Sequence, residues 1–138
     1  KSRDNRDKGG SMPFWNKVKT ILIIDDDNTL LRRVSMHFKK YKKFDIVTFD
    51  NATEGLVAAT ALNPSLIILD WNLPDIQGID LLTMLKKSTK TKNIPVLMLT
   101  GHNKIGHIED AFERGADAYI VKPFELQKLA EKSQTLLK

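Results

Sequence analysis

The chain has 138 residues, 41% of them hydrophobic, which suits one globular domain with a core of its own. Cysteine is absent, which excludes disulfides and thiolate metal sites, and no apolar run is long enough for a bilayer span or a signal peptide. The formal charge is +5, of which residues 1–11 supply +2, too little to argue for nucleic acid; we expect a soluble, cytoplasmic protein without direct nucleic-acid binding or membrane insertion.

Lys1 to Ser11 is polar, shows no periodicity and closes on Gly9-Gly10-Ser11. Residues 1–17 therefore read as a disordered arm, a linker or an expression remnant, with Met12 a candidate natural start, and 18–138 as the folded domain. Thr20 to Ile24 is a short aliphatic strand that ends on Asp25, Asp26 and Asp27. Asn28 suits the N-cap of a helix whose apolar face is Leu31, Val34 and Phe38. That helix gives out in Lys39-Lys40-Tyr41-Lys42-Lys43, a cationic end suited to the helix dipole and read as a solvated face.

Ile46, Val47 and Phe49 predict a second strand, and Asn51 with Glu54 has capping-box spacing for a helix to about Leu62. Leu66-Ile67-Ile68-Leu69 is an aliphatic run for a strand buried on both faces, stopping on Asp70 before Trp71-Asn72-Leu73-Pro74. A loop closed by Gly78 leads to a helix marked by Ile79, Leu82 and Leu85, fraying over Ser88 to Lys92. Pro95 introduces the strand Val96 to Leu99, ending on Thr100-Gly101. Ile105, Ile108 and Phe112 predict the apolar face of a fourth helix stopped at Gly115. Tyr119 to Val121 is the last strand, ending on Lys122-Pro123, and Leu126, Leu129 and Leu136 mark a final helix.

Five strands alternating with five helices predict an α/β three-layer sandwich on a parallel sheet. The strand ends of such a sheet point the same way, so Asp25, Asp26, Asp27, Asp70, Thr100 and Lys122 can converge from distant parts of the chain. Crowded carboxylates repel one another, and a bound divalent cation would offset that; oxygen donors without Cys or paired His favour magnesium or manganese. A hydroxyl and an ammonium beside such an ion are what a phosphoryl group needs.

The segments Ile-Ile-Asp25-Asp26-Asp27, Leu-Asp70-Trp-Asn-Leu-Pro, Met-Leu-Thr100-Gly and Gly115-Ala-Asp-Ala-Tyr-Ile-Val-Lys122-Pro-Phe resemble, in order and spacing, the receiver domain of two-component response regulators, chemotaxis-regulator-like, over about Lys19 to Lys138. The resemblance implies a flavodoxin-like sheet of order 2-1-3-4-5. It implies that Asp70 takes a phosphoryl group from a phosphohistidine of a histidine kinase or a histidine phosphotransfer domain, so that the protein, though not a dedicated enzyme, catalyses its own phosphorylation and dephosphorylation. It further implies Mg2+ (or Mn2+) held by Asp26, Asp70 and the Asn72 backbone carbonyl, with Asp25 assisting. Thr100 and Lys122 would contact phosphoryl oxygens, Tyr119 would serve the switch or the packing of its strand, and the peptide before Pro123 would be cis. The output face would be helix 4, strand 5 and helix 5, contacting a downstream domain or protein or supporting a phosphorylation-dependent dimer.

Two alternatives share these residues. Asp25-Asp26-Asp27-Asn28-Thr29 satisfies the Asp-x-Asp-x-Thr pattern of haloacid-dehalogenase-type phosphatases, with Asp25 as nucleophile, although Asp70 would then have no role. The other alternative is a phosphorylation-independent scaffold. Trp71 is expected as a partly exposed wall of the site and His102 as a surface residue. His37 and His107 receive no chemistry, Asp27 is a helix cap rather than a ligand, and Asp75, Asp80, Glu109 and Asp110 are read as solvent-facing acids.

Overall fold

In a computed structural model the described residues are 18–41, 43–101 and 105–137. The arm at 1–17 and His102 fall outside them. Ten elements alternate: β1 (Lys19–Ile24), α1 (Asn28–Phe38), β2 (Phe44–Phe49), α2 (Ala52–Leu62), β3 (Leu66–Asp70), α3 (Gly78–Lys87), β4 (Val96–Thr100), α4 (Ile105–Glu113), β5 (Ala118–Val121) and α5 (Leu126–Leu136). The five strands pair in parallel in the order β2-β1-β3-β4-β5, the flavodoxin-like order.

The three inner strands explain the aliphatic runs. Ile21 to Ile24, Leu66 to Leu69 and Val96 to Leu99 are at most 1% exposed, because helices cover both faces of the sheet. Alternate side chains enter separate cores. Leu22, Ile24, Ile67, Leu69, Val96 and Met98 meet α2 and α3, while Ile21, Ile23, Leu66, Ile68, Leu97 and Leu99 meet α1 and α5. Each fully buried aliphatic side chain contributes about 1.5–3 kcal/mol, so this two-sided burial fixes the strand register.

The helices start where the caps lie, with one shift. Asp27, not Asn28, is the N-cap of α1: its Oδ1 accepts from the Leu30 N–H (3.1 Å), and Asn28 is already the first helical residue. Asn51 caps α2 by accepting from the Glu54 N–H (2.9 Å). The apolar face expected of α1 is buried at Leu31, Val34 and Phe38. The face expected of α4 is not: Ala111 is its buried residue, whereas Ile105 is 74% and Phe112 46% exposed. The spacing of Ile105, Ile108 and Phe112 is helical, but the helix turns the smaller Ala111 toward the sheet.

Candidate functional site

Asp25 and Asp26 follow β1, Asp70 and Thr100 close β3 and β4, and Lys122 follows β5. Register brings them together. Asp70 stands beside Leu99 of β4, Thr100 beside Val121 of β5, and the Lys122 N–H donates to the Thr100 carbonyl (2.7 Å). The residues expected at the site are thus joined at the carboxyl edge of the sheet, where open α/β sheets carry ligands.

Lys122 Nζ lies 2.8 Å from Asp25 Oδ2 and 3.2 Å from Asp70 Oδ1. Asp25 is fully buried and its Oδ1 accepts from the Asp27 N–H (2.9 Å), so both its oxygens are engaged. Asp70 is 5% exposed, Thr100 is buried, and Asp26 is exposed. Burial, followed by the charge of Asp25, pushes the Asp70 carboxyl up to about 6, although Lys122 works the other way. Burial alone would lower the Lys122 ammonium, but its hydrogen bond to Asp25 and the charges of Asp25 and Asp70 outweigh that and raise it. Lys122 is therefore a firm cation. The peptide joining it to Pro123 is cis.

Asp25, Asp26 and Asp70 each offer an oxygen, and the three atoms lie within 4.8 Å of one another. The donor set fits a hard divalent cation. Three ionised carboxylates against one ammonium leave two negative charges, which a dication balances, and the ligands are all oxygen. Asn72 follows in the loop after β3 and is exposed.

The surroundings correct several expectations. Trp71 is not a partly exposed wall: it is 9% exposed, belongs to the core under α2 and α3, and its ring lies 5.5 Å from that of His107. His107 of α4 thus abuts the residue next to Asp70. Tyr119 is half-buried against the same core and shares a side-chain hydrogen bond with Thr100. Burial raises its hydroxyl above the ordinary tyrosine value, against the pull of that bond.

Asp75 was missed as an organising group. Its carboxylate accepts from the Ala52 and Thr53 N–H groups (both 2.8 Å) and from the Thr53 hydroxyl (2.6 Å), tying the β3–α3 loop to the start of α2. These bonds, led by that from Thr53, hold it far below the usual carboxylate range. Asp80 and Asp110 are likewise not simple solvent-facing acids, since both pair with Arg114 at 3.1 Å. No sequence pattern announces these contacts, because their partners lie 22 to 34 residues away apart from the Asp110–Arg114 pair. An open cavity of about 380 Å3, lined by Asp27, Leu30, Arg33, Lys122, Pro123 and Phe124, flanks the site on the α1 side.

The profile of the response regulator receiver domain matches residues 21–134. The chain belongs to that family. This receiver domain is 38% identical over 120 residues to the chemotaxis protein CheY-3 of Vibrio cholerae, covering 85% of this chain and 90% of the relative. It is 34% identical to the chemotaxis protein CheY of Pseudomonas aeruginosa, over 84% and 94% of the two chains. Among solved structures, a CheY-like receiver domain protein of Methanospirillum hungatei superposes with a TM-score of 0.79 at 30% identity, covering 88% of this chain and 94% of that one.

The phosphatase alternative loses its basis here. Both oxygens of Asp25 are occupied and its carboxylate is fully buried, whereas Asp70 stands in the cluster with a role to fill. No observation favours the scaffold alternative. No helix among the described residues is long and apolar enough to cross a membrane. Receiver domains of response regulators work with histidine kinases and output domains.

Proposed function

We propose that Asp70 is the phosphoacceptor of this receiver domain, within a folded unit at 18–138 preceded by an arm at 1–17. The observation that carries this reading is the position of Asp70. Like Asp25 it lies in the acidic cluster and beside the Lys122 ammonium, but it keeps some exposure, whereas Asp25 is fully buried with both oxygens engaged. One Asp70 oxygen attacks the phosphorus of a phosphohistidine on a histidine kinase or phosphotransfer domain. The phosphorus–nitrogen bond breaks, the imidazole leaves, and an aspartyl phosphate remains. Hydrolysis reverses the state: water attacks the same phosphorus, and carboxylate and inorganic phosphate separate.

Asp25, Asp26, Asp70 and the Asn72 carbonyl would hold Mg2+ or Mn2+. When bound, the cation supplies charge neutralisation for the phosphoryl oxygens as they approach a carboxylate. Lys122 neutralises a further oxygen, and to do so its ammonium turns from Asp70 to the new anion. The Thr100 hydroxyl donates to another oxygen. Tyr119 shares a bond with Thr100, so a change at Thr100 reaches β5 and the exposed side of α4. The α4, β5 and α5 face is then the output surface for a downstream domain or a phosphorylation-dependent dimer. A kinase partner of this kind places the protein in the cytoplasm.

The test is intact mass after incubation with a small-molecule phosphodonor, with and without magnesium, followed by peptide mapping. One magnesium-dependent phosphoryl adduct on the peptide containing Asp70, absent in Asp70→Asn, is expected. An adduct on the Asp25 peptide would return the phosphatase reading. No adduct with any donor would leave a scaffold.

A further inference from the structure

The positive charge of this chain is concentrated in one stretch. From Asn28 to Phe44 there are six Lys or Arg and no acidic residue, while the other 121 residues carry 16 basic and 17 acidic side chains. The largest local excess therefore sits on α1 and its junction with the edge strand β2. Arg32, Arg33, Lys39, Lys40 and Lys43 are all exposed, and no ion pair among the described residues involves them.

This surface has a shape. A groove of about 480 Å3 runs between α1 and β2, lined by Leu31, Arg32, Ser35, Met36, Lys39 and Thr48. Its cations stand at Arg32 and Lys39, two helical turns apart and so about 10 Å. Between them Met36 is 70% exposed, an apolar side chain left in water. The groove lies on the β2 side of α1, away from the cavity formed by Leu30, Arg33 and Lys122 beside the phosphoryl site.

We propose that this groove binds a short acidic protein segment carrying an apolar residue between its carboxylates. Charge complementarity selects the sign, and Met36 with Leu31 selects the apolar residue. Two carboxylates three residues apart in a polyproline II segment lie on one side about 9 Å apart, leaving room for that residue. The alternatives fit less well. Base stacking needs free aromatic faces, but Lys40 and Lys43 lie over the rings of Tyr41 and Phe44 at 5.9 and 5.4 Å, and both rings pack with Phe38. A lipid surface needs several apolar groups projecting beside the cations, and Met36 is the exposed large hydrophobic of α1. The inference does not depend on phosphoryl transfer at Asp70.

The experiment measures anisotropy of a fluorescein-labelled nonapeptide repeating Glu-Asp-Leu, titrated with the full chain. Saturable micromolar binding, weakened by salt, is expected. The double variant Arg32→Glu/Lys39→Glu should lose about tenfold or more in affinity, and Met36→Ser about threefold, whereas Lys87→Glu/Lys90→Glu, an equal charge change on the far side, should stay within about twofold. Circular dichroism and an unchanged thermal midpoint confirm that each variant is folded. Equal losses in the two charge variants, no effect of Met36→Ser, or no binding would overturn the proposal. So would tighter binding to a single-stranded DNA oligomer or to phosphatidylserine vesicles than to the peptide.

Discussion

At Asp70 burial and neighbouring charge oppose ionisation, and the stability of the metal-free protein has to carry the consequence. Its folded value of about 6 lies above the ordinary 3.8, so below about pH 4 both folded and unfolded chains hold the proton and nothing is lost. As pH rises toward 6 the unfolded chain releases the proton first, and stability falls. Above 6 the penalty is complete, roughly 3 kcal/mol at most. Asp70→Asn should therefore raise the unfolding free energy from urea titration at pH 8 without magnesium by about 1–3 kcal/mol, with the gain vanishing near pH 4. A gain that is the same at both pH values would contradict this account. Magnesium should raise the parent's thermal midpoint and leave the variant's nearly unchanged, because the variant has lost one anionic ligand.

Among the elements, the β3–α3 loop is held from two sides. The Gly78 N–H donates to the Trp71 carbonyl at 2.6 Å, and a Cβ on Gly78 would collide with the Asp70 carbonyl oxygen. Only hydrogen fits there, because the chain returns against the strand end that presents Asp70. Gly78→Ala must push β3 and α3 apart, and a cost of about 1–3 kcal/mol follows. Since the displaced backbone belongs to Asp70 itself, phosphodonor labelling should slow as well. Wild-type labelling and stability in that variant would show that the loop yields without moving the site. The Asp75 carboxylate completes the same arrangement from outside, holding the loop to the α2 N-terminus, where a negative group suits the helix dipole.

Over the whole molecule, three surfaces separate. The acidic cluster with Lys122 occupies the carboxyl edge of the sheet, the basic groove follows α1 and β2, and the exposed Ile105 and Phe112 mark α4. Large apolar side chains thus stand in water on a helix that buries only Ala111. If that face is the output surface, Ile105→Ser with Phe112→Ser should leave phosphodonor labelling of Asp70 intact. It should also abolish any dimer that the parent forms on phosphorylation, read by sedimentation velocity. A dimer that persists in the double variant would move the output surface elsewhere.

The parts with local signals were legible along the chain. Aliphatic runs ending in Asp25, Asp70, Thr100 and Lys122 gave the strands and their functional ends, because a strand covered on both faces must be apolar throughout and polar where it emerges. The order of those motifs also carried the family, since it is a linear property. What each side chain meets came from packing between distant segments. Trp71 is core rather than wall because α4 brings His107 against it, and α4 rests on Ala111 because its rotation is set by packing, not by spacing. Asp75 organises α2 through bonds to residues 22 and 23 positions away. Such contacts leave no periodic trace, since one carboxylate in a loop looks the same whether it faces water or a helix end.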